Sequence, residues 1–226
     1  MANAFGDRRF GEEKNMRKKW ITIAAIIGII LIGAVVVGAV MSDVETPNYE
    51  VVTAESNIEV RLYDPMIIAE VQINGEREDS IGEGFRLLAD YIFGNNIARQ
   101  DIGMTVPLQQ QESTKISMTA PVQQQKEDDA WQISFVMPSE YKMDTLPKPV
   151  NERVTLKETP VKTFSVITFS GTNSDKNLKE HENQLMEYVS TNNLSVIGAP
   201  KYAFYNPPWT LPLMRRNEVM IEIQGQ

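Results

Sequence analysis

The feature that most restricts the fold of this chain is that it repeats itself. Leu-Ala-Asp-Tyr-Ile-Phe-Gly-Asn-Asn at residues 88–96 and Leu-Met-Glu-Tyr-Val-Ser-Thr-Asn-Asn at residues 185–193 both fit L-x-[DE]-Y-[IV]-x-x-N-N. Each is the tail of an expected helix. In the first, Ile81, Phe85, Leu88 and Ile92 recur at helical spacing behind Ser80-Ile-Gly-Glu83, a capping-box pattern. In the second, Leu178, Leu185 and Val189 share a face. Upstream, LKETPVKTFSVITFSG mirrors LYDPMIIAEVQING, with Pro160 answering Pro65 and Gly171 answering Gly75. Strands are expected after each helix, near 115–124 and 131–137 and again near 199–205 and 217–224. The unit reads ββαββ and occurs twice. One copy alone would leave strand edges unpaired, so the two are expected to join into one closed or nearly closed sheet with both helices outside. A pseudo-two-fold axis then makes a cleft between helices and sheet, a usual place for a ligand.

A shorter echo lies between the halves. MTxP[LV]QQQ begins at Met104 and again at Met118, fourteen residues on. Ile102, Met104, Val106 and Leu108 alternate with polar or small residues, as do Ile116, Met118, Ala120 and Val122. This period of two predicts a hairpin turning at Glu112-Ser113, with prolines marking edges or bulges. Packing by Met104 and Met118 is favoured over metal or haem ligation by their thioethers, because methionine fills irregular gaps first.

Composition removes several chemistries. The 226 residues include no cysteine and one histidine, His181, which excludes disulfides, thiolate metal sites, covalent CxxCH haem and multi-histidine centres. The formal charge of −8 disfavours nucleic acid as a partner. Residues 1–41 carry +3 of their own, which leaves −11 for the remainder. Within them, Trp20–Met41 runs without a charge. As a helix it would reach about 33 Å, enough for a hydrocarbon core of about 30 Å. Basic residues precede it and Asp43 and Glu45 follow, so residues 1–19 are expected in the cytoplasm, 20–41 across the cell membrane, 42–48 as linker and 49–226 as an extracytoplasmic domain. A cleaved signal peptide fits less well, because Met41 would occupy the position before the cut.

Several stretches together resemble the SOUL haem-binding family: YEVV…IEVRLYDP, GFRLLADYIFGNN, ISMTAPV, ISFVMPSEY…LPKP, VITFSG, YAFYNPPW and RRNEV. They fall in the family's order from about Tyr49 to Ile223. The resemblance implies an α+β fold, a distorted antiparallel β-barrel with two flanking helices. It also implies haem or another tetrapyrrole as a non-covalent ligand. Some family members use a histidine near the start of the domain as axial ligand, and others hold the porphyrin by apolar and arginine contacts. His181 is the only histidine here and lies on the second helix.

The candidate cofactor-binding residues are Arg61, Met104, Met118, His181, Tyr202, Tyr205, Trp209 and Glu218. Arg61 faces away from Val60 and Leu62, either to pair a propionate or as an exposed strand residue. His181 sits among Lys179, Glu180 and Glu182, so a solvent-facing ring is favoured over an iron ligand. Tyr202, Tyr205 and Trp209 suit a porphyrin face, or a rigid loop closing the barrel. Glu218 is either a carboxylate in a cleft or the partner of Arg215 or Arg216. Gly82-Glu83-Gly84 is followed by Leu87 where a dinucleotide loop needs its third glycine, and no metal or catalytic residue set is found. The expected function is a membrane-tethered, non-catalytic tetrapyrrole binder for storage, transfer or sensing. The alternatives are a small-molecule hydrolase using Glu218 and an envelope interaction module without cofactor.

Overall fold

A computed structural model of the chain describes residues 44–98 and 113–225. The apolar run 20–41, Met104 and the first arm of the expected hairpin lie outside the described residues. Among the described residues no helix is long and apolar enough to cross a membrane.

The elements follow in the order β1 (Tyr49–Glu55), β2 (Ile58–Tyr63), β3 (Met66–Asn74), α1 (Arg77–Ile92), β4 (Asn96–Ile97), β5 (Val122–Glu127), β6 (Ala130–Val136), β7 (Lys148–Pro149), β8 (Thr155–Thr159), β9 (Lys162–Phe169), α2 (Asp175–Thr191), β10 (Val196–Phe204) and β11 (Asn217–Ile223). Nine strands form one antiparallel sheet in the order β1-β2-β9-β11-β10-β5-β6-β3-β8, and β4 pairs with β7. The sheet curls into a half-barrel and stays open between β1 and β8, where a barrel would have closed.

From β2 to β8 the order reads the same from either end once each strand is replaced by its counterpart. The units exchange strands: β2 pairs with β9 of the second unit, and β8 with β3 of the first. Val60 opposes Ser165, and the equivalent Leu156 opposes Ala69. At the middle of the sheet Gln124 opposes Tyr202. This exchange covers the edges that one unit would expose. Gly75 and Gly171 are true equivalents, at φ +123° and +111°, where β3 and β9 turn into their helices. Pro65 and Pro160 share the equivalent turns but sit one position apart, because the sheet faces match only in the glycine register.

Each helix covers one lobe. Leu88, Tyr91 and Ile92 of α1 pack with Val71, Ile73, Ile133 and Phe135. Leu178, Leu185 and Val189 of α2 lie buried over the lobe that holds Ile167, Val219 and Ile221. Each such side chain contributes roughly 1.5–3 kcal/mol by leaving water. The start of α1 differs from the capping-box expectation. It begins a turn earlier, at Arg77, and Ser80 is buried inside it. The inward face is Ser80, Gly84, Leu88 and Tyr91, while Phe85 is 39% exposed. Gly84 explains the rotation: a Cβ there would lie 2.8 Å from Ile133 Cδ1, so the helix backbone rests directly on β6.

The strand expected from 115 begins at Val122, since Pro121 has no N–H for a ladder. Ahead of it Ile116 and Ala120 are buried, but Met118 is 45% exposed and fills no core gap.

Candidate functional site

On the sheet face away from α2, a charged network is buried in the second lobe. Glu218 is fully buried on β11, and Arg61, at 3% exposure, reaches it from β2 across β9. Arg61 donates to Glu218 Oε1 at 3.0 Å, to Glu59 at 2.6 Å and to the Tyr63 hydroxyl at 3.2 Å. Glu218 Oε1 also accepts from Arg216 at 2.7 and 3.0 Å and from Thr168 at 3.3 Å. Its Oε2 accepts from the Tyr205 hydroxyl at 2.7 Å. The guanidinium of Arg61 lies 4.4 Å from the Tyr49 ring centre, and that of Arg216 lies 3.9 Å from that of Tyr205. Burial opposes the charge on Arg61, but the Glu218 charge and the contacts with Tyr63 and Glu218 together outweigh it and hold its pKa above the ordinary arginine value. Burial, reinforced by Glu218, raises both Tyr63 and Tyr205, so the phenols stay protonated.

Arg61 is therefore neither an exposed strand residue nor a free propionate clamp. Both oxygens of Glu218 are hydrogen-bonded, its side chain is fully buried and it lines neither cleft described below, so it is not presented to a substrate as a general base would need to be. The positions equivalent to Arg61 and Glu218 in the first lobe are Lys157 and Gln132, and Gln132 donates to Glu70 at 2.7 Å. The ion pair thus belongs to one copy of the repeat.

The other candidates lie apart. His181 is half-buried on α2, its ring stacked on Phe169 at 3.8 Å, with Nδ1 2.8 Å from the Asn177 carbonyl. It is a packed ring rather than a solvent-facing one. Trp209 is 65% exposed on the loop before β11. Tyr202 faces the helices. It donates to Glu182 of α2 at 2.7 Å, and burial with that bond raises its pKa.

Two clefts remain. The first, about 850 Å³, is bordered by Glu45–Asn48, the β2–β3 and β8–β9 turns and the loop after β6. Its floor includes Met66, Met137 and Met143, and its charged lining is Glu45, Asp64, Asp144 and Glu158 against Lys142 alone. The second, about 560 Å³, lies where the first turns of both helices meet over the centre of the sheet. Trp131 and Tyr202 form its aromatic wall, their ring centres 6.5 Å apart and 33° from coplanar. Arg77, Lys126 and Lys179 line it with Glu76, Asp129 and Asp175. Arg77 ties the lobes together through Asp175 at 2.6 Å, the Asn173 carbonyl at 2.7 Å and Gln124 at 3.1 Å. Both volumes suit a small-molecule ligand.

The sequence profile of the SOUL heme-binding protein matches residues 44–222. The chain belongs to this family. The SOUL family binds haem, and haem held without a covalent bond is consistent with a cysteine-free member. No curated protein matches the chain. Among solved structures it is similar to the EcmrR C-terminal domain, with a TM-score of 0.54 at 11% identity over 79% of this chain and 99% of that one. It is also similar to EcmrR in a DNA complex, with a TM-score of 0.53 at 10% identity over 100% of this chain and 73% of that one. A hydrolase from Listeria innocua gives 0.48 at 10% identity, over 76% of this chain and 94% of that one. For the two EcmrR structures the likeness, at these identities, concerns the fold.

The second cleft fits a SOUL ligand in most respects. A porphyrin face stacks on flat aromatic rings, and its carboxylates are met by cations and by helix N-termini. The acid-rich first cleft opposes those carboxylates. Iron is served less well: the second cleft offers no imidazole, thiolate or thioether, and Tyr202 is held as a neutral phenol. Arg77, Lys126, Trp131 and Lys179 were not among the sequence candidates, although Trp131 opposes Lys126 on the β5–β6 hairpin.

Proposed function

We propose that this SOUL protein is a non-catalytic tetrapyrrole binder, tethered to the cell membrane by residues 20–41 with its domain outside, serving haem storage, transfer or sensing. The observation that carries the reading is the second cleft. Trp131 and Tyr202 give the ring a wall, and Lys126, Lys179 and the first turns of α1 and α2 meet its carboxylates. Arg77, fixed by three bonds, joins the lobes where it lines the cleft. Bound haem would supply a redox-active iron, while this chain supplies stacking, charge and exclusion of water. The closed bonding of Glu218 favours binding over hydrolysis.

Haemin titration followed by absorbance tests the site. Trp131→Ala is expected to weaken binding about tenfold, the equivalent of about 1.4 kcal/mol of lost stacking. Unchanged affinity in Trp131→Ala, or no spectral change with the parent chain, refutes the reading. Carbonate extraction tests the tether: the chain is expected in the membrane pellet, and release of a shortened soluble form overturns that part.

A further inference from the structure

The loop between β10 and β11 turns four large apolar side chains outward within six residues. Trp209, Leu211, Leu213 and Met214 are 65, 41, 77 and 41% exposed. The loop is pinned in this form. Thr210 N–H donates to the Pro207 carbonyl at 3.0 Å, and Met214 N–H to the Leu211 carbonyl at 2.9 Å. Gly171 N–H reaches the Pro212 carbonyl at 2.8 Å. Arg215 braces it from below, donating to the carbonyls of Thr210, at 2.7 Å, and Pro208. Residues 206–217, NPPWTLPLMRRN, hold two arginines and no carboxylate, in a chain of net charge −8.

The place of this loop on the sheet matters as much as its composition. It follows Phe204, which pairs with Val122. Two residues before Val122, Ala120 N–H donates to the Glu45 carbonyl at 2.9 Å. The described chain therefore passes, at Glu45, the same end of the central strands β10 and β5 from which the loop projects, and the run Trp20–Met41 lies just upstream in sequence. Tryptophan and leucine side by side above arginine match the bilayer interface, where apolar groups enter the acyl boundary and cations meet phosphates. Exposed apolar side chains fixed by backbone bonds cannot fold back to hide themselves, and such patches mark interaction surfaces.

We propose that this loop is a second membrane contact, with Trp209, Leu211, Leu213 and Met214 seated in the interface of an anionic bilayer and Arg215 at its phosphates. The proposal rests on the tethering reading but not on the tetrapyrrole.

A chain without cysteine allows clean labelling. Full-length Leu213→Cys, carrying an environment-sensitive fluorophore, is reconstituted into phosphatidylcholine–phosphatidylglycerol vesicles with brominated acyl chains. Ile197→Cys serves as control, since Ile197 is 46% exposed on β10 at the far end of the strand from Phe204. The label at 213 is expected to be quenched at least about twofold more than that at 197, as for a group within about 5–10 Å of the acyl boundary. Equal quenching at both sites overturns the proposal. So does a label at 213 that is unquenched yet shielded from aqueous iodide, which would mean a protein partner. A chain retained by the vesicles with 213 unquenched sinks the loop and leaves the tether standing. A chain that does not stay with vesicles sinks both. The double variant Leu211→Ser/Leu213→Ser is expected to keep haemin binding unchanged, which separates this site from the cleft.

Discussion

Replacing Glu218 by glutamine keeps the side-chain shape and removes one charge from the least accessible ionic site described. Arg61 would retain Glu59 as its one carboxylate partner among the described residues, whose side chain is 32% exposed, while its own is 4% exposed. Arg216 and Tyr205 would lose their charged acceptor, and the new amide NH₂ would face donors, since Arg61, Arg216, Thr168 and Tyr205 all point their hydrogens at this group. Removing one partner of such a buried pair costs about 3–5 kcal/mol. With a urea slope of about 2 kcal/mol/M, the unfolding midpoint should fall by about 1.5–2.5 M. Tryptophan fluorescence through a urea titration reads it. Arg216→Gln, at a partner 38% exposed, should cost only about 1 kcal/mol. The double variant Arg61→Met/Glu218→Leu should regain more than half of the single-variant loss, because it strands neither charge. A midpoint shift below about 0.5 M for Glu218→Gln would show that the network contributes little, and the reasoning would be wrong.

Three further outcomes are expected. Gly84→Ala should lose about 1–3 kcal/mol in thermal unfolding despite alanine's better helix propensity, and Ile133→Val should relieve it, since the added methyl meets Ile133 at 2.8 Å. Burial, and then Lys162, lower Lys201 to about 8. Between that value and the unfolded lysine pKa of about 10.4 the unfolded chain holds the extra proton, so stability should rise with pH across this window. Lys201→Met should abolish the rise and stabilise the protein at pH 7 by about 1–2 kcal/mol, and an unaltered pH slope in urea unfolding would contradict it. His181→Ala should leave the haemin spectrum unchanged and cost about 1 kcal/mol of stability, because its ring stacks on Phe169.

The repeat in the sequence was a reliable guide to topology because it is written in local patterns: periodic helices, alternating strands and glycines at strand ends. The two helices and the eight strands from the paired units occur in the order that those patterns give, with β5 at Val122–Glu127 displaced from the expected 115–124. Errors arose where a local pattern met a packing constraint. Ser80 and Glu83 have capping spacing, yet the helix starts one turn earlier, and the approach of Gly84 to Ile133 turns Ser80 inward. Met118 has strand alternation, yet Pro121 delays the strand. Pro65 and Pro160 look equivalent in sequence, and only the sheet faces reveal the shift of one.

The candidate site was less legible. Arg61, Tyr205 and Glu218 were picked out individually, but nothing local joins Arg61 to a carboxylate 157 residues away. The cleft between the helix starts is built from Arg77, Trp131 and Lys179, each unremarkable in its own segment. Sequence alone determined a duplicated α+β domain, because backbone periodicity and turn residues act over a few positions. Tertiary structure decided which charges are buried together and which aromatic rings are left facing a cleft, because desolvation and Coulomb energy depend on distances that only the strand exchange between the two copies creates.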